Sequence, residues 1–246
     1  MTGRVESVGQ LTPTLTRIVF GSKGLDGFEL GAFTDHYVKL QFPRAGAPED
    51  ERPKVRTYTV REWDADRRLL TIDFVVHGDE GIAGPWAAAA APGDTIQLRG
   101  PGGGYVPDPD ADWHLLAGDV AVIPAISASL PRIPAGRPVH VFLQVDGPAE
   151  HVELTSPGDL ELHWLHDAAD ATVAEAIGAL DFPPGTPHAF LHGEATSVRF
   201  ARRHLVVDRA VPAERLHASG YWKRTLTDEG WRDAKADWNA QVAAET

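Results

Sequence analysis

The densest chemistry in the chain sits in six consecutive residues, Arg56-Thr57-Tyr58-Thr59-Val60-Arg61. On an extended strand Arg56, Tyr58 and Val60 share one face, and Thr57, Thr59 and Arg61 share the other. A guanidinium beside an aromatic ring suits a flat ring system joined to a phosphate. The phenol stacks, the guanidinium pairs with the phosphate, and a threonine hydroxyl or strand amide bonds a ring edge. An ordinary barrel strand with exposed arginines has the same pattern, and periodicity alone does not separate the two. One strand later, Phe74–Ala87 runs from an apolar stretch through a glycine-bearing turn to a helix start. Backbone amides in such a turn hold a pyrophosphate with help from the helix dipole. Asp79 and Glu80 must point away for that to work.

These residues need a scaffold, and the first hundred residues read as strands. Leu15–Gly21, His36–Phe42, Val55–Trp63, Leu69–His77 and Asp94–Arg99 are rich in Val, Ile, Thr, Tyr and Phe, with one short helix at Gly84–Ala91. Ala45–Pro53 reads as a surface loop. Short, regularly spaced strands predict an antiparallel barrel or sandwich. The pattern changes near Gly100–Asp112. Beyond it, strands at Trp113–Ala117, Val139–Val145, Leu160–Leu165 and Ala189–Leu191 alternate with helical stretches at Ile123–Leu130, Ala171–Leu180 and Ser197–Val207. Asp237–Thr246 reads as a terminal helix with Trp238 and Val242 inward. Alternation predicts an α/β unit with a largely parallel sheet. The expected division is 1–106 and 107–246. Gly100–Gly104 reads as a hinge between them, since no helix follows it as a dinucleotide fingerprint requires.

Composition narrows the chemistry. The chain has 246 residues, no cysteine, and 23 Lys plus Arg against 35 Asp plus Glu, a formal charge of −12. Without thiols there is no disulfide framework, cysteine-held metal or thiol nucleophile. Redox chemistry must then be carried by a bound organic cofactor. The acidic excess disfavours nucleic acid and anionic membranes, and any basic site must be a local island. No apolar run approaches the roughly 18 residues a membrane helix needs, and Met1–Gln10 lacks a signal-peptide core, so a cytoplasmic protein is expected. The 11 histidines show no paired metal-ligand spacing. His163 and His166 fall on opposite faces of a strand, and His188 and His192 flank a short one. No protein-ligated metal is expected.

Several motifs in order resemble the siderophore-interacting flavoproteins, ferredoxin-reductase-like ferric-siderophore reductases. They are Arg56–Arg61, Phe74–Gly78 with Gly81–Ala87, the turn Gly100–Gly103, Trp113–Ile126, His192–Ala195 and Gly220–Arg224. The resemblance implies an N-terminal flavin-binding β-barrel and a C-terminal nicotinamide-binding-like α/β domain with a helical tail. It implies that Arg56 and Thr57 help hold FAD, Tyr58 stacks on its ring and Thr59 bonds near the reactive edge, the last two as catalytic contacts. It implies that Val76, His77, Gly81, Ile82 and Ala83 hold the rest of the FAD. Gly118, Asp119, Gly193, Glu194 and Ala195 would line a cleft for NADPH or NADH, and Lys54, Lys223 and Arg224 would meet an anionic ferric siderophore.

The chain also departs from the family pattern. Val120-Ala121-Val122-Ile123 stands where Glu-Thr-Ala-Leu is common, Gly102 replaces an arginine, and Thr225-Leu226 follows Arg224 in place of a glycine. Loss of the Glu-Thr pair leaves reduced ferredoxin open as an alternative donor. A different acceptor, or siderophore binding without reduction, also stays open. Arg199, Arg202 and Arg203 form either a solvated helix face or, through Arg202 or Arg203, a contact to the 2′-phosphate of NADPH.

Overall fold

The computed structural model describes residues 1–42, 52–78 and 81–245. Most of the expected Ala45–Pro53 loop, together with Asp79 and Glu80, lies outside the described residues. The chain forms two compact units, Met1–Val106 and Pro107–Thr246.

In the first unit, strands β1 (Thr2–Gln10), β2 (Leu15–Gly21), β3 (Tyr37–Phe42), β4 (Lys54–Thr59), β5 (Glu62–Asp64), β6 (Leu69–Val75) and β7 (Thr95–Gly102) accompany helix α1 (Ala83–Ala89). They form an antiparallel sheet in the order β4-β3-β7-β1-β2-β6-β5. The single strand expected over Val55–Trp63 is two strands on opposite edges of this sheet. The switch falls at Val60 and Arg61, whose amides donate to the His36 carbonyl at 2.7 Å and the Thr71 carbonyl at 2.9 Å. Three residue steps span at most about 10 Å, so both edges must come together and the sheet curls into a barrel. Tyr58 on β4 then meets Phe74 on β6, with ring centroids 4.4 Å apart. Trp86 of α1 packs against Phe20, Phe42 and Phe74, covering one end of the core.

Two readings change here. β1 carries only Gly3 and Val5 as buried residues, too weak an apolar signal to read as a strand, yet it sits inside the sheet between β7 and β2. Gly100–Gly104 is not a free hinge. Its first residues finish β7, where Gly102 pairs with Tyr37. The amides of Gly104 and Tyr105 then both donate to the buried Asp35 carboxylate at 2.8 Å. A carboxylate accepting two amides fixes a backbone that composition alone presents as loose.

The second unit contains β8 (Trp113–Asp119), α2 (Ile123–Ser129), β9 (Pro138–Gln144), β10 (Asp159–Leu165), α3 (Thr172–Ala179), β11 (Pro187–Glu194), α4 (Ala195–Arg203), β12 (Leu216–Trp222) and α5 (Asp228–Ala243). The sheet is parallel, in the order β10-β9-β8-β11-β12. Every residue of β8 is buried, as expected for a strand covered on both faces. The chain moves outward from β8 to β9 and β10 and then returns to β11 on the other side. The C-terminal ends of β8 and β11 therefore form the switch point where open parallel sheets bind ligands. α5 starts nine residues before the expected terminal helix. Thr227 caps it, accepting from the Gly230 amide at 3.2 Å, and Trp231, Trp238 and Val242 face inward. Among the described residues, no helix is long and apolar enough to cross a membrane.

The parallel sheet buries an ionisable group whose effect on stability has a definite sign. His114 on β8 is fully buried, and burial, with His188 beside it, lowers its pKa from 6.5 to about 4. The unfolded chain therefore takes up this proton at higher pH than the folded chain does. Stability present above pH 6.5 should be lost as pH falls towards 4, by about 3 kcal/mol. Urea unfolding at stepped pH should show that loss flattened in His114→Gln. Equal slopes in the two proteins would rule out His114 as the source.

Candidate functional site

The first candidate surface is β4 with the turn that precedes α1. Strand alternation is incomplete at the end of β4. Lys54 and Thr57 are exposed, whereas Arg56, Thr59 and Val60 are all buried. The reason is the edge-to-edge crossing at Val60, which draws Thr59 inward although it lies opposite Arg56 in strand order. The Arg56 guanidinium donates to the Val55 carbonyl at 3.0 Å. Tyr58 is half-buried, with its ring against Phe74 and the barrel core. Val76 is half-buried and donates its amide to the Thr14 carbonyl at 2.7 Å, while His77 is exposed. Gly81 and Ile82 lead into α1, which starts at Ala83 without a side-chain cap. Within the described part of this surface the donor set is a guanidinium, a phenol, two hydroxyls and uncapped helix amides. That chemistry fits a group made of a flat ring and phosphates.

The second surface is the C-terminal edge of the parallel sheet. Asp119 ends β8 and is buried. Its Oδ1 accepts the Ala121 amide at 2.8 Å, and its Oδ2 accepts the Glu194 amide at 2.6 Å and the Trp222 indole N–H at 2.8 Å. Burial raises its pKa above the usual carboxylate range, and these three donors act in the opposite direction. Two glycines make the arrangement possible. A Cβ on Gly118 would collide with the His192 carbonyl oxygen. Gly193 has φ +122°, and a Cβ there would lie 2.6 Å from Asp119 Oδ2.

Glu194 caps α4. Its Oε2 accepts the amides of Thr196 at 2.6 Å and Ser197 at 3.0 Å, and its Oε1 accepts the Arg224 amide at 3.1 Å. Gly118, Asp119, Gly193, Glu194 and Ala195 thus come together at the switch point. They come together as a hydrogen-bonded lock in which the first amides of α4 already have a partner.

The basic residues are divided. Lys223 donates to the Thr196 hydroxyl at 3.2 Å, whereas Arg224 reaches the Ala168 carbonyl at 3.1 Å and pairs with Asp170 at 3.4 Å. Arg199 pairs with the Glu245 carboxylate, and Arg202 donates to the Glu245 carbonyl at 3.0 Å. Lys54 is exposed on the first unit. Lys223 and Arg199 border a groove of about 330 Å³ between α4 and α5, floored by Trp231 and Trp238. Sequence reading missed this groove because α5 begins earlier than its apolar spacing suggests. Nor does it give Trp222, within the Gly220–Arg224 motif, the role its indole N–H takes in bonding Asp119. Nothing in the spacing pairs those two residues, which meet only through β12.

Replacing Trp222 by Phe should remove one bond to a carboxylate and cost roughly 1.5–3 kcal/mol, whereas Asp119→Ala should cost more by stranding three donors. Urea midpoints measure both. An Asp119→Ala midpoint at or above that of Trp222→Phe would contradict the lock.

The model of the siderophore-interacting FAD-binding domain matches residues 4–49 and 45–105, and that of the siderophore-interacting protein family matches residues 111–225. The chain is 37% identical to the ferric vibriobactin reductase ViuB of Vibrio cholerae, over 92% of this chain and 90% of that one. It is 31% identical to the NADPH-dependent ferric-chelate reductase of Escherichia coli, over 87% of this chain and 89% of that one. It is similar to the crystal structure of the siderophore-interacting protein SipS from Aeromonas hydrophila, with a TM-score of 0.87, 28% identity and 98% of each chain covered. The chain belongs to the siderophore-interacting protein family.

Proposed function

We propose that the protein is an FAD-dependent reductase of ferric siderophores, with NADPH or NADH as electron donor. The observation that carries this reading is the Arg56–Thr59 donor set on a curled antiparallel barrel that matches the siderophore-interacting FAD-binding domain. Family relatives named as ferric vibriobactin reductase and NADPH-dependent ferric-chelate reductase support the acceptor and the donor.

When bound, FAD would accept an electron pair from the donor and pass electrons singly to ferric iron. In this reading Arg56 neutralises an FAD phosphate and Thr57 adds a hydroxyl at the strand surface. Tyr58 offers a ring face already fixed against Phe74, and Thr59 offers a hydroxyl to the ring edge. Val76, His77 and the Gly81-Ile82-Ala83 turn contact the ribityl and pyrophosphate portions. Gly118, Asp119, Gly193, Glu194 and Ala195 line the nicotinamide site, with Arg202 as a contact for a 2′-phosphate. Lys54, Lys223 and Arg224 are the proposed cationic contacts of the anionic ferric chelate. Ferrous iron suits hard anionic oxygen donors less well than ferric iron does, so reduction loosens the chelate. The protein contributes position and electrostatics, and the cofactor supplies the electron chemistry.

One observation favours a second donor. Glu194 occupies the Thr196 and Ser197 amides with its own carboxylate. That helix end therefore does not offer those amides to a dinucleotide phosphate. Reduced ferredoxin is the alternative electron source consistent with this.

Purified protein should retain FAD and release ferrous iron from a ferric siderophore in the presence of one of these donors, read with a ferrous-specific chelating dye. Siderophore binding without ferrous iron from NADPH, NADH or reduced ferredoxin would reject the reductase reading. Arg56→Ala should weaken FAD binding by roughly 10- to 150-fold, the equivalent of about 1.5–3 kcal/mol for a bond to a charged group. Equilibrium dialysis measures this, and unchanged affinity would remove Arg56 from the flavin site.

A further inference from the structure

Three side chains with no part in the proposed reduction converge near the edge of the parallel sheet. β10 is an edge strand, and it pairs with β9 so that Glu161 lies opposite His140 and His163 opposite Phe142. Residues two apart on a strand share a face, and parallel pairing keeps neighbours on one side. His140, Glu161 and His163 therefore project together. Their side chains are 8%, 65% and 34% exposed, so the His140 imidazole is buried, that of His163 is half-buried and the carboxylate reaches solvent.

The three donor atoms lie close together. His140 Nδ1 lies 3.3 Å from Glu161 Oε2, and His163 Nε2 lies 3.9 Å from the same oxygen. One donor atom from each residue falls within 4.8 Å of the other two. Both nitrogens are buried, and among the described residues neither has a hydrogen-bond partner. A buried imidazole nitrogen without a partner is costly and calls for an explanation. The 3.3 Å approach to Glu161 does not supply one, because it lacks hydrogen-bond alignment. Ligands about 2.1 Å from a tetrahedral zinc ion stand about 3.4 Å apart; the His140–Glu161 distance of 3.3 Å matches this and the His163–Glu161 distance of 3.9 Å is wider.

The surroundings hold the imidazoles in place. The His163 ring stacks on Phe142 with centroids 4.3 Å apart and planes 9° from parallel, and Trp113 packs edge-on to His140 at 5.8 Å. Glu161, being exposed, is the ligand with most freedom to adjust to an ion. Two imidazoles and one carboxylate suit first-row divalent ions such as zinc, whereas magnesium and calcium favour all-oxygen sets.

We propose that His140, Glu161 and His163 form a binding site for a first-row divalent transition-metal ion, with water completing the coordination. The site lies on the second unit, away from the strand ends where Asp119 and Glu194 sit, because His140 is near the start of β9. A bound ion would join the edge strand β10 to β9 and stabilise the fold by an amount that rises with the logarithm of its concentration.

The test uses the full chain without a histidine tag, stripped with a chelator and titrated calorimetrically with zinc chloride, with magnesium chloride as control. One equivalent of zinc should bind and raise the thermal midpoint, and magnesium should do neither. Glu161→Gln and His163→Ala, both at partly exposed positions, should each weaken zinc binding by at least about tenfold. His166→Ala should leave it unchanged. That control matters because His151 and His166 form a second, exposed imidazole pair with Nε2 atoms 2.9 Å apart. Absence of saturable zinc binding would overturn the proposal. So would zinc affinity unchanged by His163→Ala or abolished by His166→Ala.

Discussion

The buried carboxylate of Asp119 fixes where the ends of three parallel strands meet. It closes β8, holds the start of the following turn through Ala121, holds the end of β11 through the Glu194 amide, and holds the end of β12 through Trp222. Removing a carboxylate from water is expensive, and three well-aimed donors are what make the position tolerable. The lock propagates outward. With its amide fixed by Asp119, Glu194 has its side chain directed at α4 and at the Arg224 backbone. The Thr196 hydroxyl in that first turn then receives Lys223. A single desolvated charge thus sets the positions of Lys223 and Arg224, two of the three cations proposed for the substrate.

The first unit depends on a different constraint, the short crossing from β4 to β5. Because Val60 and Arg61 change hydrogen-bond partners between His36 and Thr71, the sheet cannot stay open. Closure buries Arg56 and Thr59 together and braces Tyr58 against Phe74. A side chain held in this way loses little further freedom when a ligand arrives, which is the physical content of preorganisation. The two units therefore use unlike means, one a covalent crossing and the other a buried charge, to fix groups that no local propensity would hold in place.

The parts of this architecture carried by local pattern were legible in the sequence. The span of β2 follows from its β-branched and aromatic residues, and the parallel sheet follows from strand–helix alternation. The parts carried by long-range polar bonds were not. Gly100–Gly104 looks loose until Asp35, far away in sequence, accepts its amides. The cap that the Glu194 carboxylate places on its own helix is equally hidden in the sequence. β1 is invisible because its stability comes from neighbours on both sides and hardly from its own apolar content. The histidines show the same limit. His163 was weighed against His166 three residues away, whereas its spatial partner is His140 on the adjacent strand, a pairing set by register.

The proposed movement of electrons through FAD to chelated ferric iron can be followed in the visible absorbance of the bound flavin without oxygen. The flavin should bleach on addition of NADPH, NADH or reduced ferredoxin, and its colour should return when a ferric siderophore is added, one flavin being reoxidised per two ferric ions. A flavin that bleaches but stays bleached in the presence of the ferric siderophore would contradict the account.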